Sequence, residues 1–317
     1  MRIGLALAGG GIRGIAHAGV LKALEENNIK VDIIGGTSAG SLIAALYAMG
    51  YSPYYIFILF KRYAKDMVAI NSSPVISGIG NFIFSKRTKM PGLKTGMSLE
   101  KAYNGAAMRK NVINIGDIKM PLVIPAVDIS ESKEYVFTNY LPRYEKSDRY
   151  ITDITVGKAV RASCSFPAVF CPCKYKEHLF MDGGSLDNVP AYEVKKQGAN
   201  RILSVNFDSN KITENSDIMD IVMKTIDIMG NKISEDSLKC SDYILTIPSD
   251  GTGLLDANKL DFCYRMGYET TMKNIEAIKR ALYYYWWVSY NKVFSNKWKK
   301  LFKLQSFFKN MKKLWLW

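Results

Sequence analysis

Only two histidines, His17 and His178, occur in the 317 residues of this chain. Any histidine-dependent catalytic arrangement must therefore use one of these two. Long apolar runs are also missing. No uninterrupted stretch reaches the ~20 residues that cross a bilayer, which excludes a simple membrane-spanning helix. The chain opens directly on the strand-like run Arg2-Ile3-Gly4-Leu5-Ala6-Leu7-Ala8. That leaves no room for a basic start, a long apolar core and a small-residue cleavage site, so no secretory signal peptide is expected. The five cysteines are an odd number, include Cys164, Cys171 and Cys173, and form no C-x-x-C pair. Reduced, mostly buried thiols in a cytoplasmic protein are expected, with no metal site and no disulfide.

Acidic residues are absent from Ala277 to the end, where ten Lys and Arg stand. Residues 1–276 hold 33 basic and 29 acidic side chains, so only +4 of the formal +14 belongs to them. The positive excess is a property of the tail, and a nucleic-acid-binding body is not implied. What remains is ordinary globular material, 48% hydrophobic and 23% charged, long enough for an ample core.

The first 200 residues alternate strand-like and helix-like segments, the pattern of an α/β domain with a largely parallel sheet. A strand over 2–8 leads into the glycine loop 9–14 and a helix near 15–28. A short strand from Val31 to Ile34 enters a second glycine turn, and a helix of about 41–49 stops at Gly50. Apolar runs at 121–128, 201–207 and 243–247 read as further strands, and a last helix is expected near 259–281. Residues 53–97 begin as an aromatic helix and continue into glycines among apolar residues. Two readings stand for them: a lid or interfacial entrance, or a helix packed on the sheet with an ordinary loop.

The turn Gly36-Thr37-Ser38-Ala39-Gly40 is a G-x-S-x-G motif between a strand and a helix. Such a turn presents a nucleophilic serine at a helix N-terminus, where the dipole favours negative charge. Gly36 and Gly40 leave room for the neighbouring strand and helix. The earlier run Gly9-Gly10-Gly11-Ile12-Arg13-Gly14 also satisfies G-x-G-x-x-G. A dinucleotide site would need an acidic residue at the far end of the second strand, but Asp32 sits at its start. The alternative use of such a loop is to offer free backbone N–H groups to an oxyanion, with the Arg13 charge beside it.

The base is the harder question. A Ser, Asp, His order needs a histidine after the acid, and His178 is the last one. No acidic residue precedes His17, and Asp32 is the only aspartate between His17 and Ser38, which disfavours the other two orders. His17 is expected to be structural. His178 precedes Leu179-Phe180-Met181, a strand-like run ending in Asp182-Gly183-Gly184. A carboxylate at a strand end before two glycines is either a surface turn or a group facing an open cleft. In the second case it can take a serine proton directly, provided apolar surroundings raise its proton affinity.

Gly9-Gly10-Gly11-Ile12-Arg13-Gly14, Gly36-Thr37-Ser38-Ala39-Gly40 and Asp182-Gly183-Gly184, in that order, resemble the patatin-like phospholipase family in its bacterial form. The stretches GIAHAGVLKALEE, RASCSFPAVFCP (161–172) and LDANKLDFCYRMGYETT agree. The resemblance covers about residues 1–280 and implies a three-layer α/β/α fold. It further implies a Ser38–Asp182 dyad, an oxyanion hole from the first glycine loop, and hydrolysis of lipid acyl esters without metal or organic cofactor. Two other functions stay open: a non-catalytic lipid-binding or regulatory protein on the same fold, and a soluble esterase or thioesterase.

Residues 282–317 lie beyond the resemblance and hold all five tryptophans: Trp286, Trp287, Trp298, Trp315 and Trp317. As a helix, 294–304 places Phe294, Trp298, Leu301 and Phe302 on one side and Lys299, Lys300 and Lys303 opposite. A second apolar face over 307–315 is out of phase with the first. Two short helices on an anionic membrane would bury both faces, with tryptophan at headgroup depth. A body-packed helix and a homodimer contact are the alternatives. The expectation is a peripheral association with the inner face of the membrane, an acyl-ester lipid as substrate, no nucleic acid, and an oligomeric state left open.

Overall fold

In a computed structural model of the chain, the described residues are 1–68, 94–141, 148–167, 169–208, 218–249, 251–252 and 256–283. The strands are β1 (Ile3–Leu7), β2 (Ile33–Gly36), β3 (Leu122–Asp128), β4 (Lys133–Thr138), β5 (Tyr150–Ile151), β6 (Cys173–Tyr175), β7 (His178–Asp182), β8 (Arg201–Phe207) and β9 (Tyr243–Ile247). They form one sheet with the path β5-β4-β3-β2-β1-β8-β9, and β7 joins it beside β3 with β6 outside it. β1 is buried along its whole length between β2 and β8, which accounts for its unbroken small and apolar sequence. Five of the pairings are parallel and three are antiparallel, so the sheet is largely parallel as expected.

Helices cover both faces. Successive strand residues point to opposite sides of a sheet. A Cβ on Gly35 would meet Val194 of the short helix Ala191–Lys196 at 2.6 Å. One on the next residue, Gly36, would strike the backbone of the helix Ala39–Ala48 at Gly40. The helix Ala16–Glu26 packs beside these, and a helix over 260–283 crosses it closely. A Cβ on Gly267 would lie 2.0 Å from the carbonyl oxygen of Ala16. The fold is the expected three-layer α/β/α arrangement with a C-terminal helix.

Two boundaries differ from expectation for physical reasons. The second strand begins at Ile33, because Asp32 turns its carboxylate onto the Ile3 N–H at 2.9 Å and starts the pairing with β1. The glycine loop is itself wound into a 3-10 turn, Gly11–Ile15, ahead of the helix. The aromatic helix over Pro53–Val68 is present, with Ile56 and Phe60 buried and Tyr54, Tyr55 and Ile58 exposed. Of the suggested lid over 53–97, residues 69–93 lie outside the described residues, as does the tail from 284 to 317.

The pairing along β3 determines where Ser38 and Asp182 sit. β4 pairs along the whole of one edge of β3, from Val123 to Asp128. The other edge is shared: parallel β2 pairs with Leu122 and Val123, and antiparallel β7 pairs with Ala126 to Asp128. The two strands run toward each other along that edge. The chain leaving β2, at Ser38, and the last residue of β7, Asp182, therefore meet head to head.

Candidate functional site

Ser38 stands at the N-terminus of the helix Ala39–Ala48 with φ 50° and ψ −122°. A non-glycine residue held there stores strain of order 1–3 kcal/mol, so its surroundings must hold it in place. Thr37 is buried and donates its hydroxyl to the Asp187 carbonyl oxygen at 2.8 Å. The turn is tight enough that a Cβ on Gly36 would lie 2.3 Å from the Gly40 oxygen, and one on Gly40 would lie 2.4 Å from the Leu7 oxygen.

Asp182 is buried, 3% exposed, and its register partner on β3 is Ala126. Its Oδ1 accepts the Gly184 backbone N–H at 2.9 Å. Burial pushes its pKa up to about 6, against the opposing pull of the Ser38 hydroxyl and the Gly184 N–H. Gly183 fits only without a side chain, since a Cβ there would lie 2.4 Å from the Pro125 oxygen. The aspartate that the sequence left as either a surface turn or a cleft residue is thus inside the fold and beside Ser38.

The first glycine loop reaches the same place. Gly9 donates to the Asn188 carbonyl oxygen at 3.1 Å, and a Cβ on it would lie 3.1 Å from the Ser38 Cβ. Gly14 packs on Ala39, with 2.5 Å between an added Cβ and the alanine methyl. The N–H groups of Gly10 and Gly11 have no acceptor among the described residues. Arg13 is buried, and its guanidinium donates to the Gly10 and Asp208 carbonyl oxygens and lies over the Phe207 ring. It ties the loop to the end of β8.

The histidines are accounted for. His17 is fully buried and its Nε2 bonds the Ala8 carbonyl oxygen at 2.8 Å; burial lowers its pKa to about 4. It is a neutral structural group, as expected. His178 corrects the chain-order argument, because Asp128 precedes it and the two are paired, Nδ1 to Oδ2 at 2.6 Å. A Ser, Asp, His order therefore exists in this chain. It does not assemble, because His178 is four strand residues from Asp182, about 13 Å at ~3.3 Å per residue.

Asp128, Glu131 and His178 are a group whose ligand atoms lie within 4.8 Å of one another. Those atoms already hold partners: Asp128 and His178 each other, and Glu131 the Lys133 amine and Tyr135 hydroxyl.

Asn188 escaped the sequence reading. The residue is 8% exposed, and its Oδ1 occupies the space where a Cβ on Gly9 or Gly184 would go. It wedges between the glycine loop and the aspartate loop. No motif or periodicity marks it. The tail residues Trp286, Trp287, Trp298, Phe302, Trp315 and Trp317 lie outside the described residues. No helix among the described residues is long and apolar enough to cross a membrane.

Comparison with known proteins adds the following. Lysophospholipase NTE1 of Meyerozyma guilliermondii is 28% identical over 84% of this chain and 19% of its own length. Patatin-like phospholipase domain-containing protein 6 of Pongo abelii is 28% identical over 84% of this chain and 20% of its own. The chain thus spans about a fifth of the length of these curated relatives. Both are eukaryotic, so they lend no support to a specifically bacterial form. A crystal structure of VipD from Legionella pneumophila aligns with a TM-score of 0.49 and 16% identity, over 87% of this chain and 67% of that one. The family description "Patatin-like phospholipase" matches residues 5–195, more than half of the chain, and to that family the chain belongs.

Proposed function

We propose that the chain is a serine hydrolase of lipid acyl esters, with Ser38 as nucleophile and Asp182 as its general base. The supporting observation is the pairing of a strained serine with a buried carboxylate whose proton affinity is raised to about 6. In the acylation step the Ser38 oxygen attacks the ester carbon while its proton passes to Asp182. The free N–H groups of Gly10 and Gly11 stabilise the oxyanion, aided by the dipole of the helix that starts at Ala39. Asp182 then returns the proton to the departing alcohol. A water, deprotonated by the same carboxylate, attacks the acyl carbon and releases the fatty acid, and Asp182 passes that proton to the departing Ser38 oxygen. Every proton in this cycle is carried by one aspartate.

Lysophospholipids are the first substrates to test, because the relatives named above are a lysophospholipase and a phospholipase-domain protein. The tail brings the site to an anionic membrane surface from the cytoplasmic side, through its tryptophans and eight lysines from Lys292 onward.

A fluorophosphonate probe and a lysophospholipid panel test the chemistry. The wild-type chain is expected to label and hydrolyse, and Ser38→Ala and Asp182→Asn to do neither. No labelling of wild type would favour a lipid-binding protein without catalysis. The tail is tested by sedimentation with anionic vesicles. A chain ending at Tyr283, cut beyond the buried Leu282, is expected to lose sedimentation and keep hydrolysis of a soluble short-chain ester. Equal sedimentation by that shorter chain would refute the membrane role.

A further inference from the structure

The stretch RASCSF, residues 161–166, follows neither from the nucleophile nor from the base, yet three of its residues between them bond to both. Ser163 ends the helix Val156–Ser163, and its Oγ accepts the Ser38 backbone N–H at 3.0 Å. The Sγ of Cys164 donates to the Ser38 carbonyl oxygen at 3.1 Å. The carbonyl oxygen of Ser165 accepts the Asp182 backbone N–H at 3.1 Å. All three are buried: Ser163 is 0% exposed, Cys164 7% and Ser165 1%.

We infer that Ser163-Cys164-Ser165 is a positioning brace that fixes Ser38 and Asp182 relative to one another. This rests on the reading that those two residues react. The topology requires such an element. Ser38 and Asp182 arrive from strands that meet head to head on one edge of β3, so no ladder hydrogen bond joins them to each other. On its outer edge, β6 pairs with His178 to Phe180 only, leaving Asp182 to find its partner in Ser165.

The contributions of the three residues differ. The Ser38 carbonyl oxygen also accepts the Ser41 hydroxyl at 2.6 Å and the Ser41 N–H at 2.8 Å, so Cys164 shares its task. The Ser38 N–H has the Ser163 hydroxyl as its hydrogen-bond acceptor, in a partly buried place where losing it costs the donor its protein partner. Ser163 is therefore the member that keeps the serine at its positive φ, and Cys164 is the lesser one.

The test uses the full chain with Ser163→Ala, Cys164→Ala and Cys164→Ser, beside Ser38→Ala and Asp182→Asn. Readouts are the rate of fluorophosphonate labelling, kcat and KM on a soluble short-chain ester, and thermal unfolding. Ser163→Ala is expected to lower labelling and kcat by ~10- to 100-fold with KM nearly unchanged, as misplacement of a reacting atom does. Cys164→Ala is expected to be a few-fold slower than Cys164→Ser, which keeps the donor; the effect is roughly that of one weak hydrogen bond. Should Ser163→Ala fail to fold, the Cys164 pair decides.

Wild-type labelling and kcat in Ser163→Ala would overturn the brace, as would equal rates in the Cys164 pair if only that pair can be read. Activity surviving in Ser38→Ala or Asp182→Asn would instead refute the proposed reaction. Loss in those two with wild-type behaviour in Ser163→Ala would refute the brace alone.

Discussion

Asp182 accepts the Gly184 backbone N–H through Oδ1 at 2.9 Å, while its buried Oδ2 has no donor of that quality. The carboxylate is thus half-satisfied. Its burial outweighs the help it receives from Gly184 and from the Ser38 hydroxyl, and its pKa rises from 3.8 to about 6. A base must be ionised to act, so kcat/KM on a soluble ester is expected to rise with pH along a limb centred near pH 6. Placing that limb near pH 4, where an ordinary aspartate titrates, would show that Asp182 is solvated or is not the base.

The same shift makes Asp182 a burden on stability at neutral pH. Its folded pKa lies above the unfolded value, so its favourable contribution is full below about 3.8 and is lost as pH rises through about 6. Ionised and buried, it costs up to ~3 kcal/mol at pH 7, at 1.36 kcal/mol per pKa unit. Asp182→Asn keeps an acceptor for Gly184 and is expected to raise stability at pH 7, with the gain vanishing near pH 4. Denaturant titrations at the two pH values check this; a variant no more stable than wild type at pH 7 would contradict it.

His17 acts in the opposite sense. Its pKa falls from 6.5 to about 4 in the folded state, because burial disfavours the charged ring. The unfolded chain takes up this proton first, so the stability present above pH 6.5 is lost as pH falls toward 4, by up to ~3 kcal/mol. Between pH 6 and 4 the two groups oppose each other. His17→Gln, which retains a donor for Ala8, is expected to become more stable than wild type as the pH is lowered. Its hydrolysis at pH 8 is expected to stay within a few-fold of wild type, since the ring is a neutral structural group. An unchanged acid slope of stability in His17→Gln would show that the ring is already charged.

His178 and Asp128 are paired in the serine-hydrolase order but at the far end of β7. Hydrogen bonds from His178, Ser130 and Leu179 outweigh burial and keep the Asp128 carboxyl below its usual pKa. The pair therefore holds the start of β7 to the end of β3. His178→Asn is expected to lower stability by ~1–3 kcal/mol, the range for a charged hydrogen bond. Hydrolysis should survive. A loss of labelling matching that of Ser38→Ala, in a folded variant, would bring His178 into the site.

How much of this was legible in the sequence depended on the range of the interaction. β8 and β9 were readable to the residue: the apolar run of β8 reports its burial, and β9 alternates, with Leu245 and Ile247 buried and Ile244 exposed. Ser38 and the glycine loop stood out through residue types that a tight turn or a close approach demands, whereas the residues alone left Asp182 as a surface turn or a cleft group and only the family resemblance singled it out. The head-to-head meeting of β2 and β7 was not, because it depends on how two strands divide one edge of a third. Ser163 and Asn188 were equally hidden: their partners lie 125 residues away for Ser163 and at Gly9 for Asn188. A serine or an asparagine in a small-residue run carries no sign of such a contact.

Two glycines in helices separate a close approach from an idle one. Gly267 faces Ala16, the residue that follows the 3-10 turn of the glycine loop, and an added Cβ would lie 2.0 Å from the Ala16 carbonyl oxygen. Backbone cannot swing aside as a side chain does, so Gly267→Ala must push the closing helix off or shift Ala16 and the loop before it. Gly105, within the helix Met97–Met108, has only the Arg109 guanidinium 3.9 Å from an added Cβ. There alanine meets no obstacle and gains helix propensity, worth ~0.5–1 kcal/mol. Thermal unfolding is expected to move in opposite directions, with Gly267→Ala lowered by ~2 kcal/mol or more, as for other overpacked contacts. Because the push is transmitted to the loop proposed to donate to the oxyanion, Gly267→Ala should also lose kcat while still folded, whereas Gly105→Ala keeps it. Full activity in a destabilised Gly267→Ala would show that the closing helix yields and the loop stays in place.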